Sequence, residues 1–185
     1  MSATAASPRR AELLELAYRY VLEHGVADLS LRPLAAAVGS SPRVLLFLFG
    51  SKAELVQAIL ARARRAELSL LDEVRSRAGE RDLLTVASEL WSWLAAEERR
   101  GLLTLWVEGY ARSLIDPHGP WSGFAAATVT DWLEVLAQAG ARDAAERTLV
   151  LATLRGALLD LLATGELERV TAAVNRQLEL MWRVR

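Results

Sequence analysis

The sequence lacks cysteine altogether and has two histidines and one lysine among its 185 residues. Without cysteine there is no disulfide bond and no thiol nucleophile. Neither His24 nor His118 has a neighbour at metal-ligand spacing, and no phosphate-binding glycine loop or catalytic carboxylate pair is recognisable, so we expect no enzyme and no cofactor. No apolar run approaches the about 20 residues that a membrane helix needs, and the N-terminal segment has no apolar signal core. We therefore expect a cytoplasmic protein with no membrane contact.

Helical periodicity extends through almost the whole chain, whereas alternating strand patterns are absent. About half of the residues, 52%, are hydrophobic, which is ample for a buried core. The sequence therefore predicts an all-α protein of about nine helices. We expect two domains, a three-helix domain over residues 1–50 and a larger helical domain over residues 51–185.

Charge is unevenly distributed along the chain, although the net charge is only −1. Residues 1–65 carry nine Lys or Arg against five Asp or Glu, a net of +4. The remaining residues carry thirteen against eighteen, a net of −5. A basic N-terminal part on an acidic body favours local contact with phosphates.

Two short apolar segments lie between Gly25 and Lys52, each opened by a serine. Ser30 is placed to cap the first segment, and Gly39 ends it because glycine adopts the left-handed conformation at little cost. Ser41 caps the second segment with Pro42 at its first position, where a missing amide does no harm. Gly50 then breaks this helix before Ser51 and Glu54 form a capping box. This layout is typical of a helix-turn-helix, whose partner is duplex DNA.

Cations stand near the starts of two of these helices: Arg43 in the second helix and Lys52 in the third. They oppose the helix dipole, but free amides beside a cation bind anions well, so a phosphate would reverse the cost. We expect Arg43 to read a base edge and Lys52 and Ser41 to hold phosphates, although solvated surface residues would show the same pattern. The predicted DNA contacts are Ser30, Arg32, Ser41, Pro42, Arg43, Val44, Leu46, Phe47 and Lys52.

Residues 8–58 resemble the N-terminal domain of the TetR family of bacterial regulators. The resemblance depends on Ala17, Gly25, Ser30, Leu34-Ala35, Gly39, Ser41, Leu45, Phe49 and Ser51-Lys52. It implies a homodimeric transcriptional regulator, a repressor of a near-palindromic operator, modulated by a small apolar effector. In such a regulator residues 1–50 form the DNA-binding helix-turn-helix domain, and residues 51–185 form the domain for effector binding and dimerisation.

The chain departs from the family pattern in the second helix of the motif. The family usually has a tyrosine in place of Leu46 and often a histidine or tyrosine in place of Leu48. Outward-facing Leu46 and Phe47 can touch thymine methyl groups in the major groove. They can equally mark a protein contact. The alternative function is therefore a TetR-like helical scaffold that has lost DNA contact and binds another protein or ligand through this apolar helix.

The last two predicted helices carry the strongest signal for oligomerisation. The segment 149–163 is apolar on nearly every face, so one face fits the chain's own core and another a partner. A purely internal core is the other interpretation. The predicted four-helix dimer interface comprises Leu151, Leu154, Leu158, Leu162, Val170, Val174, Leu178 and Met181.

Large aromatic side chains recur in the middle helices and suggest an effector pocket. A filled core explains each single ring equally well, because aromatic residues at helical spacing are usually buried. Glu108 and Arg155 either pair inside the body or extend to solvent. The predicted pocket comprises Trp91, Trp106, Glu108, Tyr110, Trp121, Thr128, Trp132 and Arg155.

Overall fold

The protein is all-helical, as predicted. The computed structural model describes residues 7–26, 28–78, 82–139 and 143–183. Within this part of the chain it contains nine α-helices, a short 3₁₀ helix at Glu97–Arg99 and no strand. The helices are α1 (Pro8–His24), α2 (Leu31–Ala37), α3 (Pro42–Phe49), α4 (Lys52–Ala78), α5 (Leu83–Leu94), α6 (Arg100–Ile115), α7 (Phe124–Gln138), α8 (Ala144–Thr164) and α9 (Leu167–Arg183).

Length and apolarity rule out a membrane crossing by any one of the described helices. Only α3 and the following segment Lys52–Glu73, taken together across a 71° bend, meet those two criteria.

The chain divides into two compact units that are not contiguous in sequence. The first comprises Met1–Ala66 with Thr104–Ala125, and the second Glu67–Leu103 with Ala126–Arg185. The domain division predicted at residue 50 stays a prediction, since compactness and function need not share a boundary.

In the first unit, α1 packs on α2, and α2 packs on α3. Leu13, Leu34 and Leu45 contribute fully buried side chains from these three helices. Burying each leucine stabilises the fold by roughly 1.5–3 kcal/mol. The leucine and alanine periodicity of the sequence therefore builds the small core on which the helix-turn-helix rests.

A polar contact joins α4 to α1 within this unit. The Arg62 guanidinium donates to the Glu15 carboxylate, with an Nε to Oε2 distance of 2.8 Å, and lies 4.5 Å from the centre of the Tyr18 ring. Burial raises the pKa of the Tyr18 hydroxyl, an effect that Arg62 opposes and Glu15 reinforces. The phenol therefore stays protonated at neutral pH and contributes to the core as an aromatic group.

In the second unit, α8 and α9 pack along their length, and α5 packs on both. The Trp91 indole Nε1–H of α5 donates to the Thr171 hydroxyl of α9 at 3.0 Å. At the junction of α8 and α9, two hydrogen bonds from Arg169 reach the Asp160 carboxylate and hold its pKa below the usual range. These contacts fix the three helices as one bundle.

The α8–α9 seam accounts for most of the residues predicted at the dimer interface. Leu151, Leu154, Leu158, Val170, Val174 and Leu178 are buried within the single chain, and Leu162 and Met181 are half-buried. The first six are therefore not available to a partner in this structure. An apolar residue on every face of α8 does not reveal from the sequence which face turns inward, and the predicted interface stays a prediction.

Candidate nucleic-acid interface

The starts of α3 and α4 are formed by serine caps, as the sequence predicts. The Ser41 hydroxyl accepts the Val44 amide at 3.2 Å, and the Ser51 hydroxyl accepts the Glu54 amide at 3.1 Å. Each such cap stabilises its helix by about 1 kcal/mol. Gly50 separates the two helices at φ +87°, a conformation in which other residues are strained.

Ser30 stands at the N-cap of α2 but its side chain makes no capping hydrogen bond. The amides of the second and third helical residues are the usual donors to a capping side-chain oxygen. The third residue of α2 is Pro33, which has no amide hydrogen. The expectation of a Ser30 side-chain cap is therefore wrong, and its exposed hydroxyl is left to face the surface.

A groove of ≈ 740 Å³ lies where the starts of α2, α3 and α4 come together. Arg32 and Lys52 supply positive charge to its wall, and Asp28 supplies one negative charge. Free amides at helix starts and nearby cations both favour a bound anion. The groove is lined by Asp28, Leu29, Ser30, Leu31, Arg32, Pro33, Pro42 and Lys52.

Four of the predicted DNA contacts line this groove: Ser30, Arg32, Pro42 and Lys52. The other five are Ser41, Arg43, Val44, Leu46 and Phe47, on or beside α3. All nine side chains are exposed. The surface thus presents cations at the helix starts and apolar groups along α3.

The α3 helix divides into an inner and an outer face as the sequence predicts. Leu45 and Phe49 are buried, whereas Phe47 is 85% exposed and Leu46 38%. The apolar residues of the outer face are therefore not part of the chain's own core.

Arg10 of α1 holds the other end of α3, a role the sequence analysis missed. Its Nε–H donates to the Leu48 carbonyl oxygen at 3.2 Å, and its guanidinium lies 4.8 Å from the centre of the Phe49 ring. A cation at a helix C-terminus is stabilising because it faces the negative end of the dipole. No local motif marks Arg10, because its partner is 38 residues away.

Glu108 of α6 reaches the segment between α1 and α2. Its Oε2 accepts the Val26 backbone amide at 3.1 Å. A charged acceptor makes this bond stronger than a neutral one. The sequence predicts Glu108 in an effector pocket, and no local pattern near Val26 indicates this contact.

The predicted pocket residues of the first unit include Trp106, Tyr110 and Trp121, besides Glu108. The Trp106 and Tyr110 rings lie 5.3 Å apart between centres. Trp121 is buried against Gly109, where a Cβ atom would overlap its ring. Trp121 therefore packs as a core residue.

The predicted pocket residues of the second unit are Trp91, Thr128, Trp132 and Arg155. Trp91, Thr128 and Trp132 are buried, and Arg155 is half-buried. The Trp132 Nε1–H donates to the buried Glu67 carboxylate at 2.7 Å. A small cavity beside Val150 and Leu178 has ≈ 10 Å³, about the space of one water molecule. The pairing of Glu108 with Arg155 stays a prediction.

Over the described ranges, no three His, Asp or Glu side chains are close enough together to hold a metal ion. The candidate site of the described residues is the anion-binding groove at the starts of α2, α3 and α4.

A helix-turn-helix with exposed cations at its helix starts defines a protein of the DNA-binding class. Residues 13–59 match the family model described as bacterial regulatory proteins, tetR family. The match begins at Leu13 in α1 and ends at Ile59 in α4. Over this N-terminal part, the chain is similar to the TetR family of bacterial regulatory proteins. No curated protein sequence matches it.

Several solved structures share the fold over nearly the whole chain. A TetR transcription regulator from Haloarcula marismortui is 18% identical with a TM-score of 0.67, and the match covers 95% of this chain and 98% of that one. A TetR-like transcriptional regulator from a Rhodococcus species is 21% identical, with a TM-score of 0.62 and coverage of 95% and 94%. The multidrug binding protein EbrR, solved with proflavin, is 26% identical, with a TM-score of 0.54 and coverage of 91% and 99%.

Proposed function

We propose that this chain is a homodimeric repressor that binds a near-palindromic operator and is released by a small apolar effector. The groove at the starts of α2, α3 and α4 carries the proposal, because it combines free helix amides with Arg32 and Lys52. Between Ser30 and Ala53 the chain has three cations and no acidic residue. A phosphate backbone is the polyanion that such a surface binds.

Selection of bound duplexes from a random pool, read by sequencing, tests this function. The expected result is one enriched near-palindrome with half-sites about 34–36 Å apart, bound less tightly as salt increases. Repression further requires that the operator overlap a promoter. Expression of a reporter gene from that promoter, with and without the protein, measures it. A protein that enriches no sequence and shows no salt-dependent binding would instead fit the helical scaffold that has lost DNA contact.

Lys52→Ala is expected to weaken binding to all duplexes and to lower the salt slope by about one unit, since one phosphate contact is lost. The variant should be no less stable than the parent, because a cation at a helix start destabilises the helix by a few tenths of a kcal/mol. Lys52→Arg keeps the charge, and Arg176→Ala removes an exposed cation of α9; both should bind as the parent does. An unchanged slope for Lys52→Ala would remove this residue from the interface.

We infer that the dimer forms through the outward face of α8 in place of the inner residues predicted from the sequence. Its exposed residues follow spacings of four and three and are all small or apolar. They lie opposite the buried Leu154 and Leu158 around the helix. This α8 outer stripe consists of Ala145, Leu149, Ala152, Gly156, Leu159 and Ala163.

The α8 outer stripe suits a second copy of the chain better than solvent. Leu149 is 54% and Leu159 51% exposed. Small residues between the two leucines let another helix approach closely, and a twofold axis would place the stripe against itself. A dimer presents two α3 helices, one for each half-site of a near-palindrome.

The effector proposal draws on the buried rings of the second unit, Trp91 and Trp132, and on EbrR, whose solved complex contains proflavin. Proflavin itself is the probe. We expect it to quench the tryptophan fluorescence and to release the selected operator at the same concentrations. Trp132→Phe, which removes the donor to Glu67 but keeps a ring, should weaken both effects. Operator release without quenching would reject the predicted ring set.

A further inference from the structure

Beyond Arg43, the outer face of α3 is apolar. Val44 is 40% exposed, in addition to Leu46 and Phe47. Isolated exposed apolar side chains are common on protein surfaces, but contiguous ones mark contacts. Here the exposed apolar side chains share one short helix with Arg43, and Lys52 begins the next helix.

Within α3, which is described in full, hydrogen-bonding side chains are scarce. Arg43 is the one charged or polar side chain of the helix. At the cap, the Ser41 hydroxyl already accepts the Val44 amide. Recognition of base edges through hydrogen bonds is therefore limited, for this helix, to what a single guanidinium can do.

Resting on the proposed DNA-binding function, we propose that α3 recognises C5-methyl groups of pyrimidines in the major groove through Phe47, supported by Leu46 and Val44. Thymine displays this methyl group, and 5-methylcytosine displays the same one. The cations beside the apolar side chains of α3 favour a polyanionic partner. Duplex DNA is such a partner, and the methyl groups in its major groove offer an apolar surface. A protein partner would need a matching acidic rim instead.

The helix geometry also predicts the spacing of the two recognised features. Arg43 and Phe47 are four residues apart, on the same face of α3 and about 6 Å apart along its axis. Stacked base pairs are about 3.4 Å apart. Each half-site should therefore carry a guanine, the preferred partner of Arg43, about two base pairs from the methylated pyrimidine.

Replacing each thymine of the selected operator by deoxyuridine, one position at a time, tests the proposal, because it deletes the methyl group and keeps the base pair. At one or two positions per half-site the affinity should fall about fourfold, the value of one buried methyl group. Phe47→Ala should bind the thymine and uracil duplexes equally, whereas Phe47→Leu should still distinguish them. Phe47 is at the surface, so the melting temperatures of both variants should match that of the parent.

A second arm separates the two sources of the methyl group. At the sensitive position, a 5-methylcytosine pair is compared with a cytosine pair. Tighter binding of the methylated duplex assigns the contact to the methyl group in either base, whereas a preference for thymine alone restricts it to operators rich in thymine.

The proposal and the function beneath it fail in different ways. Wild-type protein that binds its operator with unchanged affinity after every thymine is replaced by deoxyuridine overturns methyl recognition and leaves DNA binding intact. Protein that binds no duplex overturns both, and points to the protein contact that an apolar α3 would also allow.

Discussion

Leu159→Asp is expected to dissociate the dimer and to weaken operator binding by about a hundredfold or more. Leu159 is 51% exposed within the α8 outer stripe, so the chain itself loses little packing. Across a twofold axis each aspartate would meet the apolar stripe of the partner. A monomer binds one half-site only and loses the gain in affinity from linked binding, which is about 10²–10⁴-fold in favourable cases.

Light scattering during size-exclusion chromatography and operator titration measure the two effects. Leu114→Asp is a matched control, because Leu114 is an exposed leucine of α6 that lies outside the α8 outer stripe. It should leave mass and affinity unchanged. A dimeric Leu159→Asp variant with parental operator affinity would reject the α8 outer stripe as the interface.

Gly109→Ala is expected to destabilise the first unit by about 1–3 kcal/mol, the usual cost of overpacking a core. The added methyl group would overlap the six-membered ring of Trp121. That ring is buried and makes an edge contact with Phe124, with centres 5.8 Å apart, so it cannot move aside freely. The melting temperature should fall by roughly 2–4 °C for each kcal/mol.

Thermal unfolding followed by tryptophan fluorescence measures this change. Gly109→Ala combined with Trp121→Leu should recover part of the loss, because the smaller side chain leaves room for the methyl group. Equal melting curves for Gly109→Ala and the parent would show that α6 and Trp121 are not closely packed.

The helix-turn-helix was predictable because its signals are local. Ser41, Gly50 and Ser51 fix helix ends through contacts within a few residues, and the burial of Leu45 and Phe49 follows from helical periodicity. The missing cap at Ser30 was also readable, since Pro33 offers no amide. The exposure of Phe47 follows from the same periodicity.

The remaining features depend on contacts distant in sequence. Arg10 and Glu108 bond backbone groups 38 and 82 residues away, and no local pattern specifies such partners. On α8 the pattern itself was ambiguous, because both sides of the helix are apolar. Burial of Leu154 and exposure of Leu159 assign the two faces only once α9 is in place.

The discontinuous first unit has a practical consequence for engineering. A fragment ending at Ala66 would carry all of α1, α2 and α3 but would lack Glu108, the acceptor of the Val26 amide. Its buried surface would lose cover that the chain supplies from Thr104–Ala125. Chimaeras that exchange DNA-binding heads between relatives should therefore transplant both segments together.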